Sequence, residues 1–280
     1  MTNIGDAPVR LTNTKWSVRA PLDVWAQVIP LIHHGQWTAF IDVAVDVIGA
    51  RDPALDLPPD ERWLALVKGK RRPPPTSFAG HSRRTWRSSA PSPNSERSAK
   101  GRSGAEVASV VVGQLLREAN ADATGETWAT LEDQLPWLAE AAPTSFLAGI
   151  STGLEGPTPV PRSSVRRGAL DDHSENPPAG DAVGLRRLAW APDYLSEVAV
   201  ILTRLAAIDP GVKSGNNPSN SLAEIFMPWH PQTRADTDRQ LAALDAARRA
   251  DPAATWHVMR KLLPTNGGIA IPTARPEWRT

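Results

Sequence analysis

The chain has 280 residues, 41% of them hydrophobic, and a formal net charge of +1, so it is long enough for one large domain or two ordinary ones. It has no cysteine, which excludes disulfides, thiolate zinc sites and a cysteine nucleophile, and fits a reducing compartment. Its 27 prolines are nearly twice the usual share and fall in clusters, so helical patterns alternate with irregular tracts.

Residues 1–10 carry no apolar run behind a charged start, which reads as no secretory signal. The first segment, 1–68, is predicted helical from residue 20 onward. Leu22, Trp25, Val28 and Ile29 share one face, and Trp37, Phe40, Ile41, Ala44, Val47 and Ile48 follow at i, i+3, i+4 spacing. The most apolar run, 40–50, is interrupted by Asp42 and Asp46 and is about half the ~20 residues needed to cross a bilayer. The expectation is a cytoplasmic protein with no membrane partner.

Residues 69–103 read as a basic, disordered linker. Between Lys68 and Arg102 stand ten bases and one acid, a local charge of +9, which leaves 21 bases against 29 acids elsewhere. Pro73, Pro74, Pro75, Pro91 and Pro93 fall in the same stretch, which has little aliphatic surface to offset its ordering entropy. Lys70, Arg71, Arg72, Arg83, Arg84 and Arg87 are candidate nucleic-acid contacts, with Phe78 and Trp86 as stacking groups. A plain solvated linker is the competing reading, since no helix-turn-helix or zinc finger stands beside the tract.

Residues 104–155 form the second helical segment. Val107, Val110, Val111, Leu115 and Leu116 make one stripe, and Trp128, Leu131, Leu135 and Leu138 another that Pro136 bends or divides. Residues 156–187 read as an irregular, proline-rich tract with Pro157, Pro159, Pro161, Pro177 and Pro178. The one acidic cluster, Asp171, Asp172 and Glu175, lies there, in a setting too loose for paired catalytic carboxylates.

Residues 188–264 are the third helical segment, followed by a tail at 265–280. Asp193 is the expected N-cap of a helix whose face is Leu195, Val198, Ile201, Leu202 and Leu205, stopped by Asp209-Pro210. A short helix is expected at 222–226, another from about 234 to 250, and a last one capped by Asp251-Pro252 with Trp256, Met259, Leu262 and Leu263 inward. Trp229 and Trp278, near prolines in expected loops, offer either a binding surface or caps on helical layers. Asp-Pro pairs recur at 52–53, 209–210 and 251–252, the last two 42 residues apart, near the period of HEAT-type helical pairs. Two readings stand side by side, a HEAT-like α-solenoid fragment and ordinary helix capping.

No P-loop, G-x-S-x-G elbow, G-x-G-x-x-G fingerprint or H-E-x-x-H occurs. His33 and His34 are adjacent, and neighbours on a helix point about 100° apart, so they do not share a metal ion. No cofactor is implied.

Residues 188–199 (LAWAPDYLSEVA), 205–211, 220–233 (NSLAEIFMPWHPQT) and 261–264 resemble part of the C-terminal helical region of large multi-domain bacterial, actinomycete-type proteins of unassigned function. The resemblance covers about residues 188–264 and implies an extended helical region without catalytic residues. Arginine outnumbers lysine 25 to 6 and tryptophan outnumbers tyrosine 11 to 1, the signature of a GC-rich genome. Out-of-frame reading of such DNA yields Arg/Pro/Ser-rich sequence, so residues 70–102 and 162–187 are either true linkers or frame-shifted. The function expected from sequence is a non-enzymatic helical scaffold or interaction protein, either in its own right or as a truncated or frame-shifted remnant of a larger helical-repeat protein. The alternative is a regulatory protein that binds nucleic acid through 68–102.

Overall fold

The computed structural model describes residues 9–12, 15–18, 31–70, 103–155, 180–208 and 217–263, with single positions 24, 27, 28 and 276. The fold is mainly α, as the apolar periodicity requires. The first described element departs from it: β1 (Val9–Thr12) pairs antiparallel with β2 (Lys15–Val18), Val9 opposite Val18 and Thr12 opposite Lys15.

Helix α1 (His34–Gly49) starts where the His33 N–H donates to Gln36 Oε1 at 2.8 Å. It buries Trp37, Ile41, Ala44 and Val45, and Phe40 meets the Trp37 ring edge-on, with centroids 6.0 Å apart. Two 3₁₀ turns follow, Pro53–Asp56 and Pro59–Leu64, the first capped by the Asp52 carboxylate. Helix α2 (Gly104–Ala121) opens on a reciprocal cap: Ser103 Oγ accepts from Glu106 N and the Ser103 N–H donates to Glu106 Oε2. Val107, Ala108, Val111, Val112, Leu115, Leu116 and Ala119 are buried around half its circumference, because α1 and the next three helices all pack on it. Val28 and Val110, both expected on the inner faces, are exposed.

The next stripe divides at Pro136, as expected. Helix α3 (Glu126–Leu131) runs into a 3₁₀ turn (Glu132–Gln134) and then α4 (Leu135–Ala141), with Pro136 in its first turn. Trp128, Leu131, Leu135 and Leu138 are all buried. Helix α5 (Pro143–Leu154) crosses α2 so closely that a Cβ on Gly149 would sit 2.6 Å from Leu116 Cδ1.

Helix α6 (Gly180–Ala189) begins inside the tract expected to be irregular up to residue 187. Ala182, Leu185, Leu188 and Ala189 face the core, and between them Arg186 and Arg187 each find a carboxylate. Two adjacent arginines hid the stripe. Residues 180–187 thus belong to a packed helix, where an irregular tract was expected. Residues 71–102 and 156–179, where the linker readings and the Asp171, Asp172 and Glu175 cluster fall, lie outside the described residues.

Helix α7 (Leu195–Ile208) is the hub of the C-terminal half, packing against α5, α6 and three later helices. Its face of Leu195, Val198, Ile201, Leu202 and Leu205 is at most 1% exposed, as the spacing predicts. Each such side chain contributes about 1.5–3 kcal/mol on burial. Asp193 does not sit at the cap; it lies two residues before the helix and pairs with Arg239 at 3.1 Å. Helix α8 (Pro218–Ile225) starts earlier than expected because Asn217 caps it, Oδ1 accepting from Asn220 N at 2.8 Å. Helix α9 (Thr237–Ala250) is capped by Asp236, and α10 (Pro252–Lys261) by Asp251.

One apolar cluster runs from Trp37 to Val258 without a break, joined across the middle by α4 against α6 and α5 against α7. The Asp-Pro junctions at 52 and 251 cap unlike elements, a four-residue 3₁₀ turn and a ten-residue α-helix. Each aspartate caps its own element, and the Asp209-Pro210 junction that sets the 42-residue spacing lies outside the described residues.

Candidate interaction surface

The last two helices are joined by a single residue that serves both. The Asp251 N–H donates to Ala247 O at 3.0 Å, closing α9, and Asp251 Oδ1 accepts from Ala254 N at 2.8 Å, opening α10. With its start fixed, the orientation of α10 follows from what it can pack against. The buried residues of α9 are Ala243 and Ala247, with Leu244 partly so, and those of α10 are Thr255, Val258 and, in part, Leu262.

At about 100° per residue, this choice turns the neighbouring stripe outward. Trp256 is 63% exposed, Met259 40% and Leu263 61%. The inward placement read from sequence is thus corrected for Trp256, Met259 and Leu263. Sequence reasoning preferred the larger side chains as core, whereas packing of α10 against α7, α8 and α9 together buries Thr255 and Val258. Arg260 lies on the same outer face, four residues from Trp256 and three from Leu263, and no described carboxylate pairs with it. The cations of α9 differ: Arg248 and Arg249 both bond Asp245, and Arg239 bonds Asp193. On the far side of α10, Lys261 Nζ bonds Asn220 Oδ1 at 2.8 Å and ties the helix to α8. Helix α10 contains no acidic residue. Trp229, one of the two loop tryptophans, is also exposed at 48%, and Leu241 of α9 at 59%.

A second cluster of charge is buried where α4, α6 and α8 meet. Arg186 pairs with Glu224, and Arg187 Nη1 bonds Glu140 Oε1 at 2.6 Å while its guanidinium lies 4.9 Å from the Trp137 ring centroid. Burial above all raises the Glu224 carboxyl from its ordinary value, with Arg186 opposing, and burial likewise lowers the Arg186 guanidinium. The two pairs link α6 to α8 and to α4.

Of the candidate nucleic-acid contacts, only Lys70 falls among the described residues. Its Nζ bonds Asp56 Oδ2 at 3.0 Å, and Arg51 joins the same group by bonding Asp56 and, at 3.1 Å, Glu126. Arg51 first, then Lys70, lowers the Asp56 carboxyl below the ordinary range. Lys70 therefore already has an anionic partner within the protein. Arg71, Arg72, Arg83, Arg84 and Arg87 lie outside the described residues, as does Trp278. His33 and His34 are both exposed at the start of α1, and among the described residues no three His, Asp or Glu side chains gather as a metal site. No described helix is long and apolar enough to cross a membrane.

No family model matches the chain, and neither a curated protein nor a solved structure was found that resembles it.

Proposed function

We propose that the protein is a non-enzymatic helical scaffold whose work is done by contact, with the outer face of α10 as its docking surface for a protein partner. The supporting observation is the outward turn of Trp256, Met259 and Leu263 on a helix whose inner face is already packed. Scattered apolar side chains on a surface need no explanation, but tryptophan, methionine and arginine together on one face have the composition of an interface centre.

Affinity capture from the native host, with the wild type and with a Trp256→Ser/Leu263→Ser variant, tests this reading. At least one protein is expected to be retained by the wild type and lost by the variant at unchanged helix content. The same captured set from both removes α10 from the function.

A second reading rests on the +9 charge of residues 68–102: regulatory binding of nucleic acid. Such binding would weaken steeply with salt and show little sequence preference. Replacing Arg71, Arg72, Arg83, Arg84 and Arg87 by serine would abolish it while the α10 variant left it intact.

A further inference from the structure

The α10 face has a charge pattern as well as an apolar one, and the pattern indicates what docks there. Trp256 and Met259 are three residues apart on one face of the helix, and Leu263, exposed like them, follows in the turn just past its end. Arg260 is next to Met259 in sequence and one helical turn from Trp256, which puts its guanidinium beside this apolar ridge. Five bases and three acids lie between Thr237 and Leu263. Asp245 is taken by Arg248 and Arg249, and Asp251 by the backbone of its own helix. Lys261 leans toward Asn220. Arg260 is thus the cation of this region left facing outward among large apolar side chains.

A partner that covered the ridge with apolar groups alone would strip water from Arg260 and leave its charge uncompensated, a cost of several kcal/mol in a desolvated interface. A partner with a carboxylate at that point would convert the cost into a charge-assisted, bidentate bond. Anchors at i and i+3, with a third large apolar side chain just past the helix end, suit the apolar stripe of another helix.

Resting on the docking face proposed above, we infer that α10 binds an amphipathic helix of a partner protein that carries an aspartate or glutamate within its apolar stripe, opposite Arg260. An anionic lipid surface shares the attraction for Arg260 but fits less well. A single outward cation beside three apolar groups gives little of the multiple charge that holds a peripheral helix on a membrane.

The test uses the full chain and two fluorescein-labelled 18-residue helical peptides, alike except for glutamate or lysine at the centre of a leucine stripe. Binding is read by anisotropy at low salt. The wild type is expected to prefer the glutamate peptide by about tenfold or more, equivalent to about 1.4 kcal/mol. Arg260→Glu is expected to reverse the preference, and Trp256→Ser to weaken both peptides without changing the circular dichroism. Any of four results would overturn the inference. They are equal affinity for the two peptides, binding of neither, indifference to Arg260→Glu, or tighter Arg260-dependent binding to phosphatidylserine vesicles. Arg260-dependent doubling of mass in sedimentation would also overturn it, by making a second copy the occupant. If the peptides fail while host capture still depends on Trp256 and Leu263, the partner chemistry is wrong and the docking face stands. If capture fails as well, the face itself is lost.

Discussion

Replacing Arg187 by methionine is expected to cost more stability than replacing its partner Glu140 by glutamine. The asymmetry comes from burial: the Glu140 side chain is 1% exposed and that of Arg187 is 17% exposed, in a pair 2.6 Å long. Without Arg187, the carboxylate stays in the core with its counter-charge gone. Without the carboxylate, the guanidinium still has the Trp137 ring at 4.9 Å and a path to water. Removing one member of a buried pair costs about 3–5 kcal/mol. At about 1.4 kcal/mol per factor of ten, that lowers the folding equilibrium constant by roughly a hundred- to a few thousand-fold. Glu140→Gln leaves a neutral amide able to hydrogen-bond, at a cost of about 1–3 kcal/mol. The double variant Glu140→Met/Arg187→Met removes both charges and is expected to recover most of the loss, since apolar replacement of a buried pair is often neutral. Urea unfolding followed by helical circular dichroism measures all three. A Glu140→Gln cost equal to or above that of Arg187→Met would refute the reasoning, and so would a double variant no better than Arg187→Met alone.

Gly149→Ala should destabilise by about 1–3 kcal/mol, because the added carbon would meet Leu116 Cδ1 at 2.6 Å and Leu116 Cβ at 2.8 Å. This outweighs the gain of about 1 kcal/mol in helix propensity. Gly35→Ala, with nothing within 4 Å, is the control and should be neutral or stabilising in thermal melts. The Asp122 carboxyl is held well below its ordinary range by the Thr124 hydroxyl above all, with the Thr127 amide and hydroxyl adding to it and burial opposing. Because its folded pKa is depressed, its stabilisation is complete above the unfolded value near ~3.9 and fades as pH falls toward the folded one. Asp122→Asn should therefore be less stable at neutral pH and lose less stability on acidification from about pH 5 to pH 2. Parallel losses in the two proteins would remove Asp122 from the acid response.

Helix α7 was legible because its apolar residues occupy a single stripe, so Leu195, Val198, Ile201, Leu202 and Leu205 had one face to choose. Pro136 was legible for the same reason: a chemical constraint acts at its own position. Helix α6 was not, because the partners that make Arg186 and Arg187 acceptable in a core helix, Glu224 and Glu140, lie 38 residues ahead and 47 behind. No local pattern pairs them. Helix α10 offered two stripes about 100° apart, Thr255/Val258/Leu262 and Trp256/Met259/Leu263, and size alone favoured the second. Packing against α7, α8 and α9 settled the choice the other way, and that is tertiary information. The candidate surface was thus half visible: the sequence marked Trp229 as a binding candidate but assigned the α10 ridge to the core.

The outward turn of α10 is the claim on which the function rests, and the absence of native cysteine allows a direct test. Single cysteines are placed at Trp256, Val258 and Leu263, and their reaction with a maleimide is timed against the same variants unfolded in urea. Thiols at 256 and 263 are expected to react within a few-fold of the unfolded rate, and the thiol at 258, where the native side chain is 0% exposed, at least ~100-fold more slowly. Protection at 256 and 263 with free reaction at 258 would contradict the account.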